Sequence, residues 1–329
     1  MSDTPDSGGE STTYYDLPAL KEPVWIWSVP AYFTVGGAAA GAALLGAVAQ
    51  LADREGHATL IDRCRWVAMG GTVLSTAFLI EDLGRPARFL NMLRIFRPSS
   101  AMSVGSWILA ANSTAAGAAA VLPRLGLRRL GDAAGLGSGT LAPALGTYTA
   151  VLISDTAVPV WQSTRRSTPA LFAASGLVAA TSALDLLDHD ERDEVLLHRL
   201  GVAAKVADLA ASEAVEHDAD RLERVGRPLH DGAPGAMWKT AKSCVAGSLA
   251  VSLLPLPGRW RRWRRRLAAV LGTAGSIATR FALFHAGTAS ARDPRATFES
   301  QRLGHGAAEV TARAGVTGGG GRTALDRRG

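Results

Sequence analysis

The chain has 329 residues, 47% hydrophobic and 19% charged, with a formal net charge of +6. The positive balance does not point to nucleic acid, because the basic residues fall in short clusters between apolar runs, where the orienting charges of membrane proteins sit. The two cysteines, Cys64 and Cys244, stand in no C-x-x-C pair, which argues against an iron–sulfur or zinc site within this chain.

Residues 1–22 form a polar, slightly acidic N-terminal tail without a basic stretch, so no cleavable signal peptide is expected and the first helix serves as the insertion signal. Residues 23–291 read as a transmembrane domain. Its clearest run carries no charge from Val24 to Ala52. A bilayer core requires about 20 apolar residues as helix, and in lipid the backbone must satisfy its own hydrogen bonds. Eight spans are expected in chain order, at 28–51, 64–82, 102–122, 139–160, 168–187, 195–216, 236–256 and 266–289. The predicted fold class is therefore all-α: a polytopic transmembrane helix bundle of about eight spans. The abundant glycine suits close helix approach, as in the Gly36-Gly37 and Gly41 cluster.

Between the second and third spans, residues 83–101 form a long connection with Gly84-Arg85-Pro86 at its start, and 87–96 is expected to be a short amphipathic helix. The fourth span contains Ser154-Asp155-Thr156, with Tyr148 seven residues earlier and so on the same face. The sixth carries Lys205, Asp208, Glu213 and Glu216 within one broad arc, which suits a helix packed in a bundle; the bland alternative is a helix lying in the interface. A second long loop is expected at 217–235. The eighth span holds Arg280 and His285, and residues 292–329 form a polar, mobile C-terminal tail. Eight spans put both termini on one side. The arginine cluster Arg259, Arg261, Arg262, Arg264, Arg265 and Arg266 lies on the other, which tips the termini to the outside of the cell inner membrane.

An ionisable side chain inside a membrane is costly and is a functional candidate by default. Asp82 and Glu81 close the second span, Asp155 sits in the fourth and Arg280 interrupts the eighth. Structural pairing and the water boundary compete with function for each, and the tryptophans at span ends suit an aromatic belt. Only His285 lies well inside an apolar stretch, so a bis-histidine haem is not expected. No nucleotide loop, nucleophile elbow or H-E-x-x-H is present.

Three stretches resemble one family. Trp25-Ile-Trp-Ser-Val-Pro-Ala-Tyr-Phe33 with Gly36-Gly37 resembles the first-helix signature of the NrfD/PsrC family. Glu81-Asp-Leu-Gly-Arg-Pro-Ala-Arg-Phe-Leu-Asn-Met-Leu-Arg94 and Pro98-Ser-Ser-Ala-Met-Ser103 resemble its connection between helices two and three. Arg280-Phe-Ala-Leu-Phe-His-Ala-Gly287 and Ala289-Ser-Ala-Arg-Asp-Pro294 resemble its last helix and exit. The resemblance implies a polysulfide-reductase-type integral membrane anchor. Such a subunit partners a ferredoxin-like iron–sulfur subunit and a molybdopterin catalytic subunit, and passes electrons to or from menaquinone or ubiquinone without haem. Asp155 stands where the family pattern suggests Asn, and Gln162 and His285 where it suggests His and Glu.

A quinone head needs hydrogen-bond partners and a proton donor. Tyr32, Asp82 and Arg280 are the expected quinone-binding residues, with Asp82 and Arg280 as an ion pair. Asp155, Tyr148 and Glu213 are the expected proton path. Arg85, Arg88 and Arg94, with the N-terminal tail, are expected to dock the iron–sulfur partner, against the competing reading of contact with anionic headgroups. Two further functions compete: a secondary transporter or proton channel lined by Asp155, Lys205, Asp208 and Arg280, and a structural anchor without quinone.

Overall fold

The computed structural model describes residues 20–21, 23, 25–255 and 258–302. Twelve helices are seen among them and no strand. Eight are long: α1 (Ser28–Asp53), α2 (Ala58–Leu83), α4 (Ala101–Val121), α5 (Arg128–Ser154), α7 (Thr168–Asp185), α8 (Glu191–Asp220), α10 (Gly232–Leu253) and α11 (Gly258–Ala291). The short α3 (Pro86–Met92), α6 (Pro159–Ser163), α9 (Glu223–His230) and α12 (Pro294–Arg302) lie between or after them.

Local sequence sets the boundaries. α2 stops where Gly84 takes a left-handed conformation, φ 69°, and returns its N–H to the Glu81 carbonyl. Pro86 then opens α3 at a position where no N–H is needed. Ser100 caps α4 by accepting from the Ser103 N–H at 3.3 Å. Asp190 caps α8 in the same way at 2.9 Å, and Glu191, Asp193 and Glu194 in the first turn complement the helix dipole.

Each expected run coincides with a long helix, but five rather than eight are long and apolar enough to cross a membrane by length and composition. These are α1, α2, α4 with the turn after it (Ala101–Leu125), α5 and the Trp260–Ala291 part of α11. The other three are weaker for physical reasons: α7 has only 18 residues and ends on Asp185, α8 is densely charged, and α10 carries Lys239 and Lys242. The fourth run also shifts. α5 begins at Arg128, continues through its glycines and ends at Ser154, where Asp155 leaves the helical register before Pro159 opens α6. The expected loop at 217–235 is largely helical, since α8 runs to Asp220 and α9 fills most of the remainder. The first part of the expected mobile C-terminal tail is α12, with Ala296 fully buried. Residues 303–329, and the N-terminal tail apart from Leu20 and Lys21, lie outside the described residues.

α1 is the hub, packed against α2, α5, α7 and α11. It meets α7 with no side chain between the backbones: a Cβ on Gly41 would lie 2.5 Å from the Gly176 carbonyl oxygen, and one on Gly176 2.6 Å from that of Gly37. Such contact lets dispersion hold the helices together where a hydrophobic driving force is absent. The bundle has two ends of different character. At one, ion pairs tie the elements: Arg54 and Arg65 hold Asp132 at 2.6 and 2.8 Å, His57 meets Asp193 at 2.7 Å, and Arg261 and Arg265 both pair with Glu194. The opposite end carries α3, α6, α9 and α12.

Candidate functional site

Arg280 lies in α11, eleven residues before its end at Ala291, hence roughly 16 Å inside the bundle at the helical rise. It is 1% exposed. Its Nη2 donates to the Phe172 carbonyl at 2.6 Å and its Nε to Ser175 Oγ at 3.4 Å, while the guanidinium lies 3.8 Å over the Phe172 ring. Room for it comes from α1, because a Cβ on Gly37 would sit 2.8 Å from Nη2. Its Nη1 has no partner among the described residues. The carboxylate whose charge reaches it is Asp208 on α8.

The expected Asp82–Arg280 pair is therefore not formed. Asp82 is in the last turn of α2, at the bundle's end, and makes no hydrogen bond or ion pair among the described residues. Tyr32, near the start of α1, does not join them either. Its ring faces Tyr148 at 6.3 Å and Phe33 at 5.4 Å, and its carbonyl accepts from Ser75 Oγ at 3.4 Å. Helix depth separates the three: spans that all approach one end still place Arg280 several turns below Asp82.

The expected proton path is likewise not assembled. Tyr148 is buried with a hydroxyl that has no partner among the described residues, whereas Asp155 is exposed past the last turn of α5. The same-face argument fails because the helix stops between them. Glu213 has a 68% exposed side chain and pairs with Lys242 at 2.6 Å. The docking candidates lie on and beside α3. Arg85, Arg88 and Arg94 are exposed or nearly so and have no carboxylate partner among the described residues; Arg88 donates to the Leu83 carbonyl at 2.9 Å. Around them Leu90, Ile95 and Phe96 are exposed, and Phe96 meets Trp107 edge-on.

A family model described as polysulfide reductase, of the NrfD type, matches residues 11–291. The chain belongs to this family. No curated protein matches it. This NrfD-type chain is accordingly a multi-pass membrane protein and a membrane subunit of the polysulfide reductase type.

Within the NrfD-type bundle the structure gathers a polar column that the sequence indicated only in part. Lys205 is 3% exposed and donates to Ser252 Oγ at 2.9 Å; Ser252 donates to the Ser248 carbonyl at 2.8 Å, and Ser248 to that of Ala268 at 2.6 Å. One turn along α8, Asp208 is 1% exposed and its Oδ1 has no partner among the described residues. Asp185 on α7 faces Lys205 in charge. Below Arg280, the Ser175 and Ser276 hydroxyls lie 3.1 Å apart and Ser276 donates to the Ser175 carbonyl at 2.8 Å. A cavity of about 360 Å³ opens from the ion-paired end and reaches Ser252. The charged arc on α8 was the available signal, and it splits in space: Lys205 and Asp208 turn inward, while Glu213 and Glu216 bind Lys242. The serines gave no signal, being unremarkable in membrane helices.

Outside the spans, His189 in the α7–α8 connection accepts at Nδ1 from Arg63 at 3.0 Å and donates from Nε2 to the Leu184 carbonyl at 2.8 Å. Burial, opposed by that carbonyl and reinforced by the Arg63 charge, holds the imidazole below the ordinary histidine range.

Proposed function

We propose that this chain is the membrane anchor and quinone-handling subunit of a respiratory molybdopterin oxidoreductase complex. It links a ferredoxin-like iron–sulfur subunit to menaquinone or ubiquinone in the cell inner membrane, with its termini outside. The observation that carries this reading is membership of the NrfD-type family across residues 11–291.

The end bearing α3 supports it. Asp82 is a half-buried carboxylate without a partner among the described residues, at the boundary where a span meets water. Such a group exchanges protons with solvent and presents an oxygen to a neighbouring polar head. Trp27 and Phe78 meet edge-on at 5.7 Å along α2 and supply an apolar wall nearby. A quinone, when bound, takes up two electrons and two protons on reduction; the chain's part is to hold the head, exclude water from it and hand protons across the Asp82 carboxyl. The arginines on and beside α3 offer positive charge to an acidic partner surface, which favours encounter and register. Arg280 fits a positioning role within the bundle rather than direct contact at Asp82, and Tyr32 lines the α1–α5 interface.

Asp82→Asn keeps shape and hydrogen bonding but removes the proton acceptor. Quinol-linked electron transfer in membranes is expected to fall by about 10²-fold or more, with subunit abundance unchanged. Normal turnover at normal abundance removes Asp82 from the site.

A second reading, proton conduction through the bundle, is favoured by one observation: Asp208 Oδ1 and Arg280 Nη1, without partners among the described residues, lie beyond a cavity that reaches Ser252. Passive proton flux into proteoliposomes holding the chain, driven by a potassium diffusion potential, tests it. Flux abolished by Asp208→Asn supports this reading; flux equal to empty liposomes rejects it.

A further inference from the structure

The cavity at the ion-paired end carries two guanidinium groups, those of Arg199 and Arg264, that pair with no carboxylate among the described residues. It is lined from α8 by Glu194, Val195, His198 and Arg199, and from α11 by Arg261, Arg264 and Arg265, with Asp185 and Ser252 at its floor. The nearby carboxylates are already committed: Glu194 holds Arg261 and Arg265, Glu191 pairs with Arg261 at 3.8 Å, Asp188 with Arg265 at 3.5 Å, and Asp185 faces Lys205. Arg265 is further fixed by the Asp185 and Leu187 carbonyls, each at 3.1 Å. Two guanidinium groups remain. Arg264 spends one nitrogen on the Leu254 carbonyl at 2.6 Å, and Arg199 has no partner among the described residues.

The surroundings are apolar on the side that faces outward. Trp260 and Trp263 are about half exposed and meet edge-on at 6.2 Å; Trp260 lies one turn before Arg264 on the same face of α11, and two more exposed apolar residues adjoin the cavity, Val195 in its lining and Leu254 through the carbonyl that Arg264 holds. Along α11, Trp263 continues one outward stripe with Val270 and Ile277, at i, i+7 and i+14. Exposed tryptophans at the end of a lipid-facing stripe mark the headgroup level of a bilayer. The cavity thus combines these two guanidinium groups with an adjoining wall for hydrocarbon, at the depth where a phosphodiester lies.

We propose that this cavity binds the headgroup of an anionic phospholipid, with Arg199 and Arg264 donating to its phosphate oxygens and the exposed Val195, Leu254 and Trp260 beside it receiving its acyl chains. Guanidinium groups suit the ligand because they donate paired N–H groups to phosphate oxygens. A free phosphate would have no use for the apolar wall. Arg262 and Arg266, exposed on a different face of α11, add to the field without lining the site.

The test uses the purified full chain in mild detergent, with lipid retention read by native mass spectrometry and unfolding by thermal melting. Cardiolipin and phosphatidylglycerol are expected to be retained and to raise the melting temperature, and phosphatidylcholine to do neither. Arg199→Gln with Arg264→Gln is expected to cut retention about tenfold or more, since each basic group near a lipid phosphate contributes on that scale. Arg262→Gln with Arg266→Gln is expected to leave retention within about twofold, because those side chains lie outside the cavity. If the cavity variant does not fold, Arg199→Gln alone decides, as its exposed side chain makes no hydrogen bond or ion pair among the described residues. Equal retention of phosphatidylcholine, equal stabilisation by inorganic phosphate, or loss of binding in the Arg262/Arg266 variant as large as in the cavity variant would each overturn the proposal.

Discussion

Where α1 meets α2, α5 and α7, the contacts are glycine and alanine against backbone: Gly41 on Gly176, Gly139 on Ala47, Gly71 on Ala39. Where α8 meets α10 and α11, the contacts are charges and hydroxyls: Lys205 on Ser252, and Asp208 facing Arg280. α1, α2, α4 and α5 are all apolar enough to cross a membrane, whereas α7, α8 and α10 are not. The first group can be held by close packing alone. The second encloses ionisable groups away from water, which is costly unless they are paired or hydrogen-bonded. A structural anchor needs only the first kind of contact. That the second persists across α8, α10 and α11 is what makes this part of the chain a candidate for more than anchoring.

The comparison breaks most readily at Arg280. Arg280→Met removes the donors to the Phe172 carbonyl and Ser175 Oγ and the cation nearest Asp208, and is expected to destabilise the chain by about 3 kcal/mol or more, the scale of two hydrogen bonds from a charged group. Adding Asp208→Leu should recover part of that loss, because both charges are then gone. Thermal melting of the two single variants and the double variant gives the coupling directly. A single Arg280→Met variant as stable as the parent would mean that packing alone holds this half too.

The α1–α7 contact gives the next largest effect. Gly41→Leu places its side chain against the Gly176 backbone, which cannot turn away, and overpacking of this kind costs about 1–3 kcal/mol. Gly70→Leu on α2 meets nothing within 4 Å and is expected to be neutral. Size-exclusion profiles and melting temperatures compare the pair. If both variants behave alike, close approach is not what joins α1 to α7.

Much of this was legible from the residues, and the failures share one cause. Apolar runs locate helices because burying unpaired backbone is prohibitive, so each expected run overlaps a long helix, although the fourth is displaced toward the N-terminus and only five of the eight are apolar enough among the described residues to be spans. Gly84-Arg85-Pro86 marked the end of α2 and the start of α3 for local steric reasons. Depth was not legible. Asp82, Tyr32 and Arg280 all lie toward one end of their spans in sequence, but a few residues of offset become 10 Å or so along a helix. Partner identity was not legible either, because Arg280 is held by a carbonyl and a serine hydroxyl, which leave no charge pattern to read. The Tyr148–Asp155 spacing misled because periodicity holds only while the helix continues, and it ends at Ser154.

The smallest effect concerns the ion-paired end, where His189 joins α2 to the α7–α8 connection. The Arg63 guanidinium can only donate, so Nδ1 must carry a lone pair, and the Leu184 carbonyl can only accept, so Nε2 must carry the proton. The geometry requires the neutral ring. Protonation would turn Nδ1 into a second donor facing a cation, which agrees with an imidazole held below the ordinary histidine range by burial and by Arg63. The unfolded chain takes up the proton more readily, so the stability tied to His189 is present above the ordinary histidine pKa and is lost as pH falls through the lowered folded value. His189→Asn can keep both bonds, accepting with its oxygen and donating with its amide, and does not titrate. On lowering the pH from neutral to about 5, below the unperturbed histidine value, the parent should lose more thermal stability than this variant. The difference should be at most about 1 kcal/mol, the scale of one partly exposed hydrogen bond. Parallel pH profiles for the two proteins would show that the ion-paired end does not depend on a neutral His189.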